Sequence, residues 1–239
     1  MKTLFLPRSV VLLLATVIVL VVVSCGKNTS VKVITKTPSG QASTETRIIN
    51  GIEVTAPQLV QISVQYSDGT TGLCTGTVIG ARAVLTAAHC VIEESFKENS
   101  TMSVQVGART LKAKSVLIPD HYRVDFDNQA IFNDIAVILT KDLGLPALPI
   151  LVSKKVASEE RVITYGFGLD EDGASGTLKS GETIIETVTE NHLFAAEFNG
   201  EGTNSCGGDS GGPAILAVNT ELGTRSGIVG LVSTGTSDN

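Results

Sequence analysis

From residue 48 onward, turn residues divide the chain into short Val-, Ile- and Thr-rich segments, and this division limits the fold more than any other feature. The segments run 59–66, 73–79, 83–87, 103–107, 111–118, 135–140, 161–166, 184–188, 213–218 and 226–232. Several alternate apolar and polar residues, the period of a strand with one buried face. No apolar pattern of helical period runs long, and helices do not alternate with the strands, which argues against a parallel α/β sheet. Apolar residues make up 42% of the 239 and charged residues 18%. That supplies a core and excludes a disordered chain, while the low charge and abundant Gly argue against bundles and coiled coils. An all-β body remains, as a sandwich or a pair of antiparallel barrels. Length alone allows one or two domains.

Charge splits the chain. Residues 1–47 carry six basic residues and one acidic, whereas 48–239 carry 12 basic and 23 acidic. An acidic body lacks the electrostatic footprint of nucleic-acid binding. At the N-terminus Lys2 and Arg8 flank the start of an apolar run of 14 residues, from 10 to 23, broken only by Thr16. That is too short to span a bilayer, which takes about 20 residues, and suits the apolar region of an export signal. The run ends Val22-Val23-Ser24-Cys25-Gly26, which resembles a bacterial lipobox. The resemblance implies that residues 1–24 are removed as a signal peptide and that Cys25 is lipidated. Several acyl chains anchor stably where one does not. Residues 25–47, rich in Ser, Thr, Gly and Lys, read as a flexible tether or propeptide. The expected address is the bacterial cell envelope, periplasm or outer membrane, with membrane contact only through the lipid.

Three motifs carry chemistry: Thr86-Ala87-Ala88-His89-Cys90, Asn133-Asp134-Ile135-Ala136-Val137, and Cys206-Gly207-Gly208-Asp209-Ser210-Gly211-Gly212-Pro213. Each has a plain structural reading: a packed histidine, an aspartate ahead of an apolar strand, a glycine turn. Together they supply what acyl transfer needs, a nucleophile, a base for its proton, and a group that orients the base. The run 208–212 also fits the G-x-S-x-G elbow of α/β-hydrolases, but that arrangement needs a His after the nucleophile and none follows Ser210.

The order His89, Asp134, Ser210 resembles the trypsin/chymotrypsin family of serine endopeptidases. The likeness runs from Arg47 to Asn239 and includes Arg47-Ile48-Ile49-Asn50-Gly51, the segment 72–79, Gly166-Phe167-Gly168 and Gly230-Leu231-Val232-Ser233. It implies two antiparallel six-stranded β-barrels over residues 48–239. It implies that Ser210 attacks the scissile carbonyl, His89 takes and returns the proton, and Asp134 fixes the imidazole tautomer. The amides of Gly208 and Ser210 form the oxyanion hole, each donor worth about 3–4 kcal/mol. Ser233 supports Asp134, and Asn204, Ser233 and Gly235 line the S1 pocket, where a neutral Asn204 disfavours a Lys or Arg side chain. Cys74 pairs with Cys90. Cleavage after Arg47 frees the Ile48 amine to pair with Asp209 and activate a zymogen. No metal or cofactor is called for, and His121 and His192 read as loop residues.

The family pattern is not complete here. Its members continue with a further strand, a C-terminal helix and a cysteine that pairs with the one at Cys206; 29 residues follow Ser210 and hold no cysteine. The expectation is a second barrel short of its closing elements, and a Cys206 that is a free thiol or engaged outside this chain. Two functions stand side by side. One is an active, monomeric endopeptidase acting on protein or peptide substrates and switched on by another protease. The other is a catalytically impaired, truncated homologue acting as an envelope binding lipoprotein.

Overall fold

The computed structural model describes residue 48 and residues 51–234, apart from 67–68, 93–100, 126–129, 153, 171–172, 196–202 and 222. The signal segment, Cys25, Arg47 and Gly235 lie outside the described residues. Described secondary structure is entirely β, in two curled antiparallel sheets, half-barrels consistent with the pair of barrels that the family resemblance implies.

The first sheet runs β6(Arg109–Lys112)–β5(Thr101–Val106)–β2(Leu59–Gln65)–β3(Thr71–Gly80)–β4(Ala83–Thr86)–β10(Ala136–Leu139)–β7(Ser115–Leu117). Period-2 alternation sends Val60, Ile62 and Val64 of β2 and Met102, Val104 and Val106 of β5 inward, where they pack with Val78, Val84 and Ile138. The second sheet runs β1(Ile52–Glu53)–β12(Lys179–Val188)–β11(Arg161–Gly166)–β14(Pro213–Thr220)–β15(Gly223–Leu231), with β13(Leu193–Ala195) paired to β12. Its smaller core gathers Val162, Ile185, Ala214 and Leu216. A hairpin of β8(Arg123–Asp125) and β9(Ala130–Phe132) stands apart.

The segment expected as one strand at 111–118 is two, because the chain turns at 113–114 from an edge beside β5 to an edge beside β10. Strand β3 departs from alternation: Cys74 through Val78 are all buried. One side, through Cys74 and Val78, faces the first core. On the other, Thr75 bonds to the segment that follows β11 and the segment that precedes β14, so β3 is buried on both faces.

Candidate active site

Two hairpin ends meet to make the site. Strands β4 and β10 pair with Thr86 opposite Ala136. His89 lies three residues beyond Thr86 and Asp134 two before Ala136, so both leave the same end of that pair. Strands β14 and β15 pair with Pro213 opposite Leu231. Ser210 precedes the one and Ser233 follows the other, again off one end. The backbone ladder continues past the strands there, with the Gly211 amide donating to Val232 O at 2.7 Å and the Val232 amide to Gly212 O at 2.8 Å.

Asp134 is the hub on the first side. Its Oδ2 accepts from the His89 ring, Nδ1–Oδ2 2.7 Å, and from the Ser233 hydroxyl; its Oδ1 accepts from the His89 amide at 2.8 Å. The side chain is only 5% exposed. Burial, the largest single influence, opposes ionisation, yet the His89 ring, with the charge it carries when protonated, the Ser233 hydroxyl and the His89 amide together hold the carboxyl below the usual carboxylate range. Asn133 just before it adopts φ 55°, a left-handed conformation that asparagine tolerates, and its Nδ2 donates to His121 O at 2.9 Å. His121 therefore contributes a carbonyl, not its imidazole.

Ser210 and His89 line one cavity of about 200 Å³ with Val64, Tyr66, Gly72, Leu73 and the Cys74–Cys90 disulfide. The Ser210 hydroxyl faces Ser233 O at 3.4 Å rather than the imidazole. Hydrogen bonds between a nucleophile and its base are commonly loose without substrate. The backbone of the nucleophile loop is better defined. Amides of Asp209, Gly211 and Gly212 donate to Cys206, Val232 and Asp209 carbonyls, whereas those of Gly208 and Ser210 have no acceptor among the described residues. Those two amides are the pair expected for the oxyanion hole. The loop can take this shape because Gly208 and Gly211 adopt φ 101° and 81°. A Cβ on Gly211 would overlap Thr86 Oγ1 and Thr75 O.

Sequence reasoning missed the residue that joins the two sides. Thr75, fully buried on β3, donates from Oγ1 to Gly208 O at 2.9 Å and accepts there from the Phe167 amide at 3.0 Å. Its own amide donates to Ser210 O at 2.8 Å, and Thr86 Oγ1 donates to Thr75 O at 2.9 Å. The Gly72–Ile79 likeness marked the segment but not this role. His192 also does more than fill a loop. Its Nε2 lies 2.7 Å from Ile131 O, and its ring packs against Phe132 and Phe194 at centroid distances of 5.0 and 5.6 Å, tying the β8–β9 hairpin to β13.

Asp209 is buried, 1% exposed, with Oδ1 accepting from the Gly168 amide and Oδ2 from the Cys206 amide, both at 2.8 Å. Burial pushes its carboxyl above the usual range, against those amides and the charge of Lys179. Ile48 is likewise buried, and the Gly51 amide donates to its carbonyl. Asn204 is half-buried ahead of the nucleophile loop. The Cys74–Cys90 bond forms as expected. Cys206 corrects an expectation: it is disulfide-bonded, not a free thiol. Cys74, Cys90 and His89 lie close enough for a metal, but a disulfide offers no thiolate.

The family described as Trypsin matches residues 48–239. A trypsin, Tyr p 3.0101, of Tyrophagus putrescentiae is 30% identical over 84% of this chain and 77% of its own length. A chymotrypsin of Phaedon cochleariae is 30% identical over 71% of this chain and 69% of its own, and a trypsin of Simulium vittatum 29% over 82% and 85%. The chain belongs to the trypsin family of serine proteases.

Proposed function

We propose that the protein is an endopeptidase working through His89, Asp134 and Ser210. The observation that carries this is the Asp134 carboxylate, which holds the His89 ring through Nδ1 beside the cavity that His89 and Ser210 both line. Nδ1 keeps its proton toward Asp134, so Nε2 is the free base. Ser210 Oγ attacks the scissile carbonyl and its proton passes to His89 Nε2. The carbonyl oxygen becomes an oxyanion facing the Gly208 and Ser210 amides. Collapse expels the amine, which takes the proton from Nε2, and water repeats the sequence on the acyl-enzyme. Fluorophosphonate labelling tests the assignment: the wild type labels, while Ser210→Ala and His89→Ala lose labelling and peptide hydrolysis. Substantial turnover by Ser210→Ala refutes it.

The finer reading follows the same residues. A half-buried neutral Asn204 at the base of S1 gives a buried cation no countercharge, so cleavage follows uncharged residues. Efficient hydrolysis of arginyl substrates would overturn this. Cleavage after Arg47 by a second protease frees the Ile48 amine, and the buried Asp209, whose oxygens accept from the Gly168 and Cys206 amides, is its partner. The enzyme is made as an exported monomer anchored by lipid at Cys25. A thioether to lipid and a disulfide are exclusive fates for one sulfur, and Cys206 is disulfide-bonded. Mass spectrometry of the mature, non-reduced protein therefore decides the anchor: an acylated Cys25 peptide supports it, and a Cys25–Cys206 peptide pair removes it, together with release of the domain on cleavage.

A further inference from the structure

One buried cation is used by nothing described so far. Lys179 opens β12 and is 1% exposed, an extreme position for an ammonium. Its Nζ lies 3.4 Å from Asp170 Oδ2, which is also buried. The sheet register shows where else that charge acts. Lys179 pairs with Gly166 across the antiparallel β11–β12 ladder. Paired residues place their Cβ directions on one face of a sheet, roughly 5 Å apart. On Gly166 that direction is filled by Asp209: a Cβ there would overlap Asp209 Oδ1 and Cγ. The same holds for Gly168, whose amide donates to Asp209. The Lys179 side chain and the Asp209 carboxylate therefore share one face of the second sheet, with Asp170 as a third charge.

This buried set holds two carboxylates and one ammonium. The charge of Lys179 favours the ionised form of Asp209, against the burial that opposes it. A carboxylate deep in a protein is tolerated only with compensating charge and donors. We infer that Lys179 is a positioning residue for the nucleophile loop, supplying from within the fold the charge that holds Asp209, and with it the Gly208 and Ser210 amides, before any cleavage frees a chain amine. The inference rests on the activation reading above and deepens it. The Ile48 amine would add a second cation beside Asp209. The uncut chain then keeps a low but real capacity to use Ser210, and that capacity depends on Lys179 far more than the cut enzyme does.

The experiment compares fluorophosphonate labelling rates of the full mature chain in two forms. The uncut form carries Arg47→Gln; the cut form is made with immobilised trypsin and checked by N-terminal sequencing. In the uncut chain Lys179→Met slows labelling at least tenfold, whereas in the cut enzyme it slows labelling less than threefold. Asp170→Asn acts oppositely, leaving the uncut rate equal or higher because Lys179 is then shared with one carboxylate fewer. That second variant also decides the matter where Lys179→Met does not fold. Equal slowing of both forms by Lys179→Met, slowing of both by Asp170→Asn, or an uncut chain that labels no faster than Ser210→Ala overturns the assignment. The activation reading fails separately, if the Arg47→Gln chain labels as fast as the cut wild type.

Discussion

Thr75 and Thr77 make a controlled pair: the same residue type, on one strand, both fully buried and facing the second sheet. Valine replaces either with nearly the same shape, so neither change opens a cavity. At Thr75 the lost hydroxyl is donor to Gly208 O and acceptor for the Phe167 amide. Thr75→Val leaves two buried backbone groups unpaired, at about 1–3 kcal/mol each, so about 2–6 kcal/mol in all. At Thr77 the hydroxyl has no hydrogen-bond partner among the described residues. Thr77→Val removes a desolvated polar group and gains about 1–3 kcal/mol. In a domain of this size each kcal/mol moves Tm by about 2–4 °C. Thermal unfolding with disulfides intact should therefore fall by about 4 °C or more for Thr75→Val and rise by about 2 °C or more for Thr77→Val. Thr75→Val should also slow fluorophosphonate labelling more than its stability loss explains, since Gly208 O and the Phe167 amide are both released. A Thr75→Val protein within about 1 kcal/mol of wild type, or a Thr77→Val loss as large as that of Thr75→Val, refutes the reasoning.

Gly211→Ala combines a left-handed backbone, about 1–2 kcal/mol for a residue with a Cβ, with overlap on Thr75 O, and should abolish labelling. Gly107→Ala shares the positive φ but meets nothing within 4 Å, so it should lower Tm only modestly and leave labelling intact. Replacing Cys74 and Cys90 together by Ser opens a loop of sequence separation 16 and should cost about 3 kcal/mol in urea unfolding. Because Asp134 is held below its ordinary value, its contribution to stability is present above the usual carboxylate range and lost as pH falls through the lowered value. Asp134→Asn should accordingly lose less stability than wild type between pH 7 and strongly acid solution, and a parallel loss in both proteins would contradict the assignment.

What could be read from the sequence was whatever is local. Strands long enough to show alternation, such as β2 and β5, announced themselves, as did the motifs around His89, Asp134 and Ser210. Strands β1, β8, β9 and β13 have two or three residues each, too few for any period. The start of β12 was hidden because Lys179 reads as a surface residue, and its burial is made tolerable by acidic partners distant from β12's own pattern, Asp170 first among them. Thr75 was invisible for a different reason. Its partner Gly208 is 133 residues away, and no pattern within β3 distinguishes a hydroxyl that bonds the nucleophile loop from the unpartnered one on Thr77. The fate of Cys206 was misread because the expectation counted only the pair that the likeness supplied.

The site depends on register more than on any single motif. His89 and Asp134 reach each other only because Thr86 faces Ala136, and Ser210 meets Ser233 only because Pro213 faces Leu231. A slip of one residue in either ladder moves a strand by about 3.3 Å and reverses its faces. That displacement exceeds the 2.7 Å of the His89–Asp134 bond itself. The buried faces of β4 and β10 forbid the slip in the first sheet, since Val84, Ala136 and Ile138 would turn away from the core. In the second sheet Ala214 and Leu216 do the same for β14. Thr75 then fixes the two ladders to one another from a strand buried on both faces. The chemistry of Ser210 is thus set by apolar residues that never touch it, which is why the motif and the strand pattern had to be read together before either could locate the site.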